Sequence, residues 1–404
     1  MKILIADKFP DKQIDEIKKM KVVLEYAPKL KSEELPEAAK EADILIVRST
    51  EVHADCIEKS SKLSLIIRAG AGVNNIDMKA ASERGIYVAN CPGKNSIAVA
   101  ELAMGLILSL DRSIPDNVMD LRAGKWNKGK YSKADGIFGK TLGVIGVGQI
   151  GKEVIKRAIP FGLKVVAWSR SLTPEASAEL GATYYPSVKE LIPQCDIISV
   201  HLALKPETRG LISKELIAAM KPGTLFINTA RAEIADEAAI LEAVKAGKIR
   251  AGLDVIKDEP EAKEGEFTGA IGKLPDVYVT HHIGASTEQA QDAVASETVR
   301  ILKNYISQGI VDNWVNRCKK TKAMWQLVVR HYDKPGVLAN VLNELKSDGI
   351  NIEEVENVIF EGEKTACCTI RLDSKPSDSA IAKIGSRPTE VINATLIDLG
   401  DLGE

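Results

Sequence analysis

Short aliphatic and β-branched runs alternate along the chain with longer segments whose apolar residues recur every three or four positions. This alternation predicts βαβ units built around parallel sheets. Runs at 3–5, 22–26, 44–47, 65–67 and 87–89 predict a first set of strands. After Asn90-Cys91-Pro92-Gly93-Lys94, either Asn95 or Ser96 can cap a helix reaching about Leu110, in which Ile97, Ala100, Ala103 or Met104, Ile107 and Leu110 fall at helical spacing. A second set of strands is predicted at 141–145, 164–167, 197–200, 224–227, 249–253 and 277–279. The helical pattern from Ser286 to about Tyr305 is long enough to cross back to the first set, so a first domain is expected to surround a complete second one. Past Gln308-Gly309, a basic connector (Arg317, Lys319, Lys320, Lys322) leads into strand, helix, strand, strand, helix and strand at 326–330, 337–346, 352–359, 365–371, 377–384 and 389–397. That βαββαβ order is ferredoxin-like.

The 404 residues ask for two or three cores at about 150 residues per domain. With 54 Lys+Arg against 56 Asp+Glu, no global charge excess recruits nucleic acid or an anionic membrane. A hydrophobic content of 45% with 27% charged residues lies outside the disordered class. The longest apolar stretch, 97–110, is broken by Glu101 and Ser109 and is too short to span a bilayer. The start of the chain, Met1-Lys2-Ile3-Leu4-Ile5, reads as a strand and not as a leader, so a cytoplasmic protein is expected. The six cysteines lack paired spacing, which predicts buried thiols and no metal site.

Gly146-Val147-Gly148-Gln149-Ile150-Gly151 follows a predicted strand and opens a predicted helix. Gly146 permits a tight turn, Gly148 admits a pyrophosphate close to the backbone, and Gly151 lets helix and strand pack closely. The unpaired amides at the helix start, from Gln149 and Ile150, would attract phosphates. The next strand should end in an acidic residue that binds the adenosine ribose of NAD, yet Trp168-Ser169-Arg170-Ser171 stands there. Arg170 could pair with the 2′-phosphate of NADP or simply point to water, so the cofactor is NAD with NADP left open.

A hydride transfer involving a 2-hydroxy acid needs a cation for the carboxylate and a group that exchanges the hydroxyl proton. Candidates follow successive strands of the second set: Asn228-Thr229-Ala230-Arg231, the stretch from Asp254 to Glu259-Pro260, and His281-His282-Ile283-Gly284. Together with the glycine loop, these residues resemble the D-isomer-specific 2-hydroxyacid dehydrogenases, and the match runs from about Arg48 to Thr287. The resemblance implies that Arg231 binds the carboxylate, that His282 is the acid/base, and that Glu259 raises its pKa, with Asp254 on the cofactor side. In the first set, Arg48-Ser49-Thr50 and Ala69-Gly70-Ala71-Gly72-Val73 match the family's substrate loops. Arg48, Ser49, Ala71, Gly72, Val73 and Asn95 are therefore expected at the substrate, with Gly70 and Gly72 turning amides toward an anion. Asn95 as a simple helix cap is an equal alternative. Two positions depart from the family: Ala232 replaces a Gly, costing about 1 kcal/mol if positive φ is required, and His281 replaces a Pro.

The tail, Arg330-His331-Tyr332-Asp333-Lys334-Pro335-Gly336 followed by Gly349-Ile350-Asn351-Ile352, resembles an ACT domain, a module that binds amino acids between paired copies. The resemblance implies effector contacts from His331, Asp333 and Asn351, with serine as the candidate effector. It also implies the architecture: a discontinuous flavodoxin-like substrate domain (1–93 and 285–320), a Rossmann domain (94–284) and an ACT domain (321–404). A family member with this tail implies oxidation of a phosphorylated hydroxy acid, 3-phosphoglycerate, to 3-phosphohydroxypyruvate, the first step toward serine, in a homodimer or homotetramer. The cations of the Arg122, Lys125, Lys128, Lys130 and Lys133 run could reach a neighbouring subunit's cleft or remain solvated, and Trp126 within it reads as an interface anchor. The alternatives are a glyoxylate or hydroxypyruvate reductase, or a non-catalytic nucleotide sensor.

Overall fold

Continuously apolar runs become interior strands because a parallel sheet is covered on both faces, and in the computed structural model all four residues of Ile44–Val47 are buried. The structure describes residues 1–257, 259–260, 265–267, 269–318 and 321–400. Lys319 and Lys320 of the expected basic connector lie outside the described residues. The chain divides into two compact units, Met1–Asn316 and Arg317–Glu404.

The first unit holds two parallel sheets. Strands β1 (Lys2–Ile5), β2 (Val23–Tyr26), β3 (Ile44–Val47), β4 (Leu65–Arg68) and β5 (Tyr87–Asn90) pair in the order β2-β1-β3-β4-β5. The second sheet contains β6 (Thr141–Ile145), β7 (Lys164–Trp168), β8 (Thr183–Tyr184), β9 (Ile197–Val200), β10 (Thr224–Asn228), β11 (Ile249–Leu253) and β12 (Val277–Val279). Its order, β12-β11-β10-β9-β6-β7-β8, is the Rossmann arrangement, in which the chain reverses direction across the sheet between β6 and β9. The pattern of apolar residues did not indicate β8, because two edge residues carry no periodicity.

Two long helices organise this unit. Ser96–Arg112 buries Ala100, Ala103, Met104, Ile107 and Leu110 in the core of the second sheet. Glu288–Gln308 starts at Thr287, whose hydroxyl accepts the Ala290 amide, and stops at Gly309 with φ 70°. Its Ala295, Val299, Ile301 and Leu302 share a core with Ile3, Ile5, Ile44 and Ile46. Val299, Ile301 and Leu302 each contribute about 1.5–3 kcal/mol, more than an exposed ion pair does, so the apolar stripe decides where the helix lies. A helix at Ile114–Arg122 has no counterpart in the apolar periodicity of the chain. That helix buries none of its residues, and Trp126 just beyond it is 81% exposed.

In the second unit, β13 (Trp325–Tyr332), β14 (Ile352–Ile359), β15 (Thr365–Leu372) and β16 (Val391–Asp398) form an antiparallel sheet ordered β14-β15-β13-β16. Helices Val337–Ser347 and Asp378–Gly385 close its core. Of the six cysteines expected to be buried, Cys318 is exposed and Cys367 half-buried. No helix among the described residues is long and apolar enough to cross a membrane.

Candidate active site

Gly146 turns the chain out of β6 with a φ of 101°, and a Cβ there would lie 2.5 Å from the His201 carbonyl oxygen. Five residues on, Gly151 sits so close to this turn that a Cβ would lie 2.1 Å from the Gly146 carbonyl oxygen. Gly148 precedes the helix Gln149–Ala158 and provides no side-chain cap, so the first amides of that helix are free for an outside acceptor. Nothing lies within 4 Å of where a Gly148 side chain would start, which leaves room for a pyrophosphate. The Gln149 side chain lies against Gly93, where a Cβ would overlap its Oε1. Beside the loop, a cavity of about 210 Å³ is lined by residues that include Val147, Lys152, Ser169, Ser171, Leu172 and Glu179. Arg170 is exposed and does not line this cavity; Lys152 does.

After β12, the chain turns at Thr280-His281-His282, with the His282 amide donating to the Thr280 carbonyl at 3.0 Å. His282 takes a left-handed φ of 51°, a conformation costing about 1–3 kcal/mol that persists only where surrounding contacts impose it. Asp254, 1% exposed beyond β11, imposes it. Its carboxylate accepts the Thr280 hydroxyl at 2.6 Å and the amides of Ile283 and Gly284 at 2.8 and 2.7 Å. Asp254 thus anchors the histidine loop and does not line the large cleft. The loop stays braced without the family's proline.

The imidazole donates from Nδ1 to Glu259 Oε2 at 2.8 Å, while Glu259 Oε1 accepts the Ile256 amide at 3.2 Å. The Glu259 hydrogen bond raises the His282 pKa, against burial and the positive charge of Arg231, which lower it. Burial works against ionisation of Glu259, but the His282 bond and charge outweigh it and hold the carboxyl below its usual range.

Arg231 follows β10. Its Nη1 donates to the Ala230 carbonyl at 2.7 Å, and its Nη2 lies so near Gly72 that a Cβ there would come within 2.8 Å. Ala232 begins a short 3-10 turn and does not have a positive φ, so no strain arises from the missing glycine.

The cleft encloses about 810 Å³ and is lined by Arg48, Ser49, Gly70, Ala71, Asn95, Glu259, His281 and His282 among others. Arg68, which belongs to no motif in the sequence, also lines it. Burial first, and then the charges of Arg231 and Arg48, push the Arg68 guanidinium down to about 10. Its buried Nε has no hydrogen-bond partner among the described residues, nor does Asn95 Oδ1. Asn95 makes no side-chain cap, so the cap alternative is not realised. Gly70 is explained by this arginine, because a Cβ would lie 1.5 Å from Arg68 Nη1. The expected anion nest does not form there: Gly70 and Gly72 lack positive φ, and the Gly70 amide donates to the Arg68 carbonyl. Val73 does not line the cleft and packs against the first-sheet core.

Residues 104–284 match the family model of the D-isomer specific 2-hydroxyacid dehydrogenase NAD binding domain. A D-3-phosphoglycerate dehydrogenase from Methanocaldococcus jannaschii is 38% identical over 365 residues, 90% of this chain and 68% of that protein. The chain belongs to the D-isomer specific 2-hydroxyacid dehydrogenase family. A Thermotoga maritima hydroxypyruvate reductase is 43% identical over 72% of the chain and 93% of that protein. Among solved structures, the NAD+-bound 3-phosphoglycerate dehydrogenase of Entamoeba histolytica superposes with a TM-score of 0.64 at 28% identity, covering 78% of this chain and 99% of that one. The chain spans 64% of the length of the mycobacterial D-3-phosphoglycerate dehydrogenases it matches. As a member of this dehydrogenase family it has an NAD-binding domain, and the glycine loop described above fits the dinucleotide.

In the second unit, His331 is 2% exposed, with Nδ1 donating to the Tyr332 carbonyl and Nε2 3.1 Å from Asn357 Oδ1. Asp333 and Asn351 are exposed. One chain does not bring the three together. Trp325 and Ile352 both pair with Leu372, whereas His331 and Ile359 pair with Ala366, so Asn351 lies at the other end of the sheet, about 20 Å away.

Proposed function

We propose that this chain oxidises (R)-3-phosphoglycerate to 3-phosphohydroxypyruvate, the first step toward serine, as a homo-oligomeric cytoplasmic enzyme. The observation that carries this reading is the pair of cations, Arg48 and Arg68, on the wall of one cleft, with the charge of Arg231 felt by both Arg68 and His282, facing the His282–Glu259 pair. Such a cluster suits a substrate with two anionic groups. Arg231 holds the carboxylate and polarises the C2 oxygen. Arg68 and Arg48 take the phosphate end. Neutral His282 accepts the C2 hydroxyl proton at Nε2, while Nδ1–H stays on Glu259, which stabilises the imidazolium that forms. The bound nicotinamide supplies the hydride acceptor. In the reverse direction, the imidazolium returns the proton.

The three-domain division at 1–93 with 285–320, 94–284 and 321–404 belongs to the same reading, with the first sheet flavodoxin-like and the last unit an ACT module. Its antiparallel βαββαβ sheet supports that assignment. On this reading serine bridges two copies, which the separation of His331 and Asp333 from Asn351 within one chain supports. At the ribose, Lys152, Ser169 and Ser171 line a small cavity with no acid at the end of β7, which favours tolerance of a 2′-phosphate despite Glu179 on the same wall.

The identity with the hydroxypyruvate reductase makes the unphosphorylated keto acid the competing substrate. Steady-state assays with 3-phosphoglycerate, hydroxypyruvate, NAD and NADP separate the readings. The expected result is a kcat/KM for the phosphorylated pair at least about tenfold above the unphosphorylated one, abolished in His282→Ala. NADP turnover is expected to disappear in Ser169→Asp. Equal use of both acids, or full activity in His282→Ala, would overturn the proposal.

A further inference from the structure

We infer that Asp7, just after β1, is the positioning residue of the anion-binding edge of the cleft, holding the Arg48-Ser49-Thr50 loop in the form that presents Arg48 to the far end of the substrate. The inference rests on the substrate reading given above. Asp7 is 6% exposed. Its Oδ2 accepts three successive amides, from Arg48 at 2.6 Å and from Ser49 and Thr50 at 3.0 Å each. Oδ1 accepts the Ser49 hydroxyl at 2.9 Å. The loop is wrapped around a single carboxylate, so its amides and its hydroxyl proton are spent inside the protein. The charged group this loop offers a ligand is the Arg48 side chain, at the cleft wall with Ser49 and Arg68.

Burial alone would raise the Asp7 pKa, but the hydrogen bonds from Arg48, Thr50 and Ser49 outweigh it and keep the carboxyl below its usual range. The clamp is therefore ionised throughout the neutral range. Hydrogen bonding here needs an acceptor where Oδ2 stands, and the charge is not required for that. An asparagine oriented with its oxygen toward the three amides would keep them, while its NH2 donates to the Ser49 oxygen. An alanine would release all four bonds.

The test uses the full chain with Asp7→Ala and Asp7→Asn, assayed on 3-phosphoglycerate and followed by amide hydrogen exchange at residues 48–50. Asp7→Ala is expected to raise KM for 3-phosphoglycerate about tenfold with kcat, its pH profile and the cofactor KM unchanged, since ground-state binding is what the loop supplies. Exchange at 48–50 should accelerate in the same variant. Asp7→Asn should restore both KM and protection. If Asp7→Ala does not fold, Asp7→Glu, which displaces the oxygens by one methylene, should give the same KM rise. Unchanged KM and exchange in Asp7→Ala, or an Asp7→Asn as defective as Asp7→Ala, would overturn the inference. Should wild-type protein fail to turn over 3-phosphoglycerate, the substrate reading falls, and the exchange data alone then decide whether Asp7 holds the loop.

Discussion

At the scale of single residues, the charge on His282 decides which direction of the reaction is open. Glu259 raises the imidazole pKa, so the neutral base needed for oxidation fills in at higher pH, and the imidazolium needed for reduction persists further up the scale. Glu259→Gln removes that support. The pH limb of oxidation should then move to lower pH, and reduction should begin to fail at lower pH, as checked by kcat/KM profiles in both directions. Arg68→Met should raise KM for the phosphorylated acid by about tenfold or more while changing KM for hydroxypyruvate little, because only the far anion loses its partner. His282, Glu259 and Arg231 were legible as residues standing after strands. Arg68 was not: at the end of β4 it reads as an ordinary solvated cation, and only the fold over Gly70 turns it into the cleft.

At the scale of elements, the turn from β6 into its helix is a packing problem that glycine alone solves. Gly151→Ala drives a methyl into the Gly146 carbonyl and should destabilise the protein by about 1–3 kcal/mol while weakening cofactor binding, read by thermal melting and by NADH fluorescence titration. The Glu288–Gln308 helix carries a different device. Arg300 bonds, with Asn313 and Lys94 beside them, hold the Glu297 carboxyl down to about 2. A depressed carboxyl contributes stability above its unfolded pKa, near 4.5, and loses it as pH falls toward the folded value. Glu297→Gln should therefore lower the melting temperature at pH 7 and leave a shallower loss between about pH 4.5 and 2. Periodicity located both long helices, since each buries an apolar stripe. It missed Ile114–Arg122, which buries nothing.

At the scale of the whole molecule, the described residues form two compact units, each with its own core. A chain ending at Asn316 should keep cofactor binding and keto-acid reduction while losing any response to serine, which calorimetry and initial rates on both forms would check. The sequence by itself determined the strand series apart from β8 and the glycine turn of the dinucleotide loop, and its family resemblance singled out His282, Glu259 and Arg231 as candidates. The strands and the glycine turn follow from local periodicity and from spacing within single turns, the candidates from their places after successive strands and from the family resemblance. Tertiary structure alone decided that Arg68 joins Arg48 and Arg231, that Asp254 is spent on the histidine loop, that Ser49 is tied to Asp7, and that Asn351 stands far from His331. Each of these depends on where one strand end lies against another, a distance that residue order along the chain does not encode.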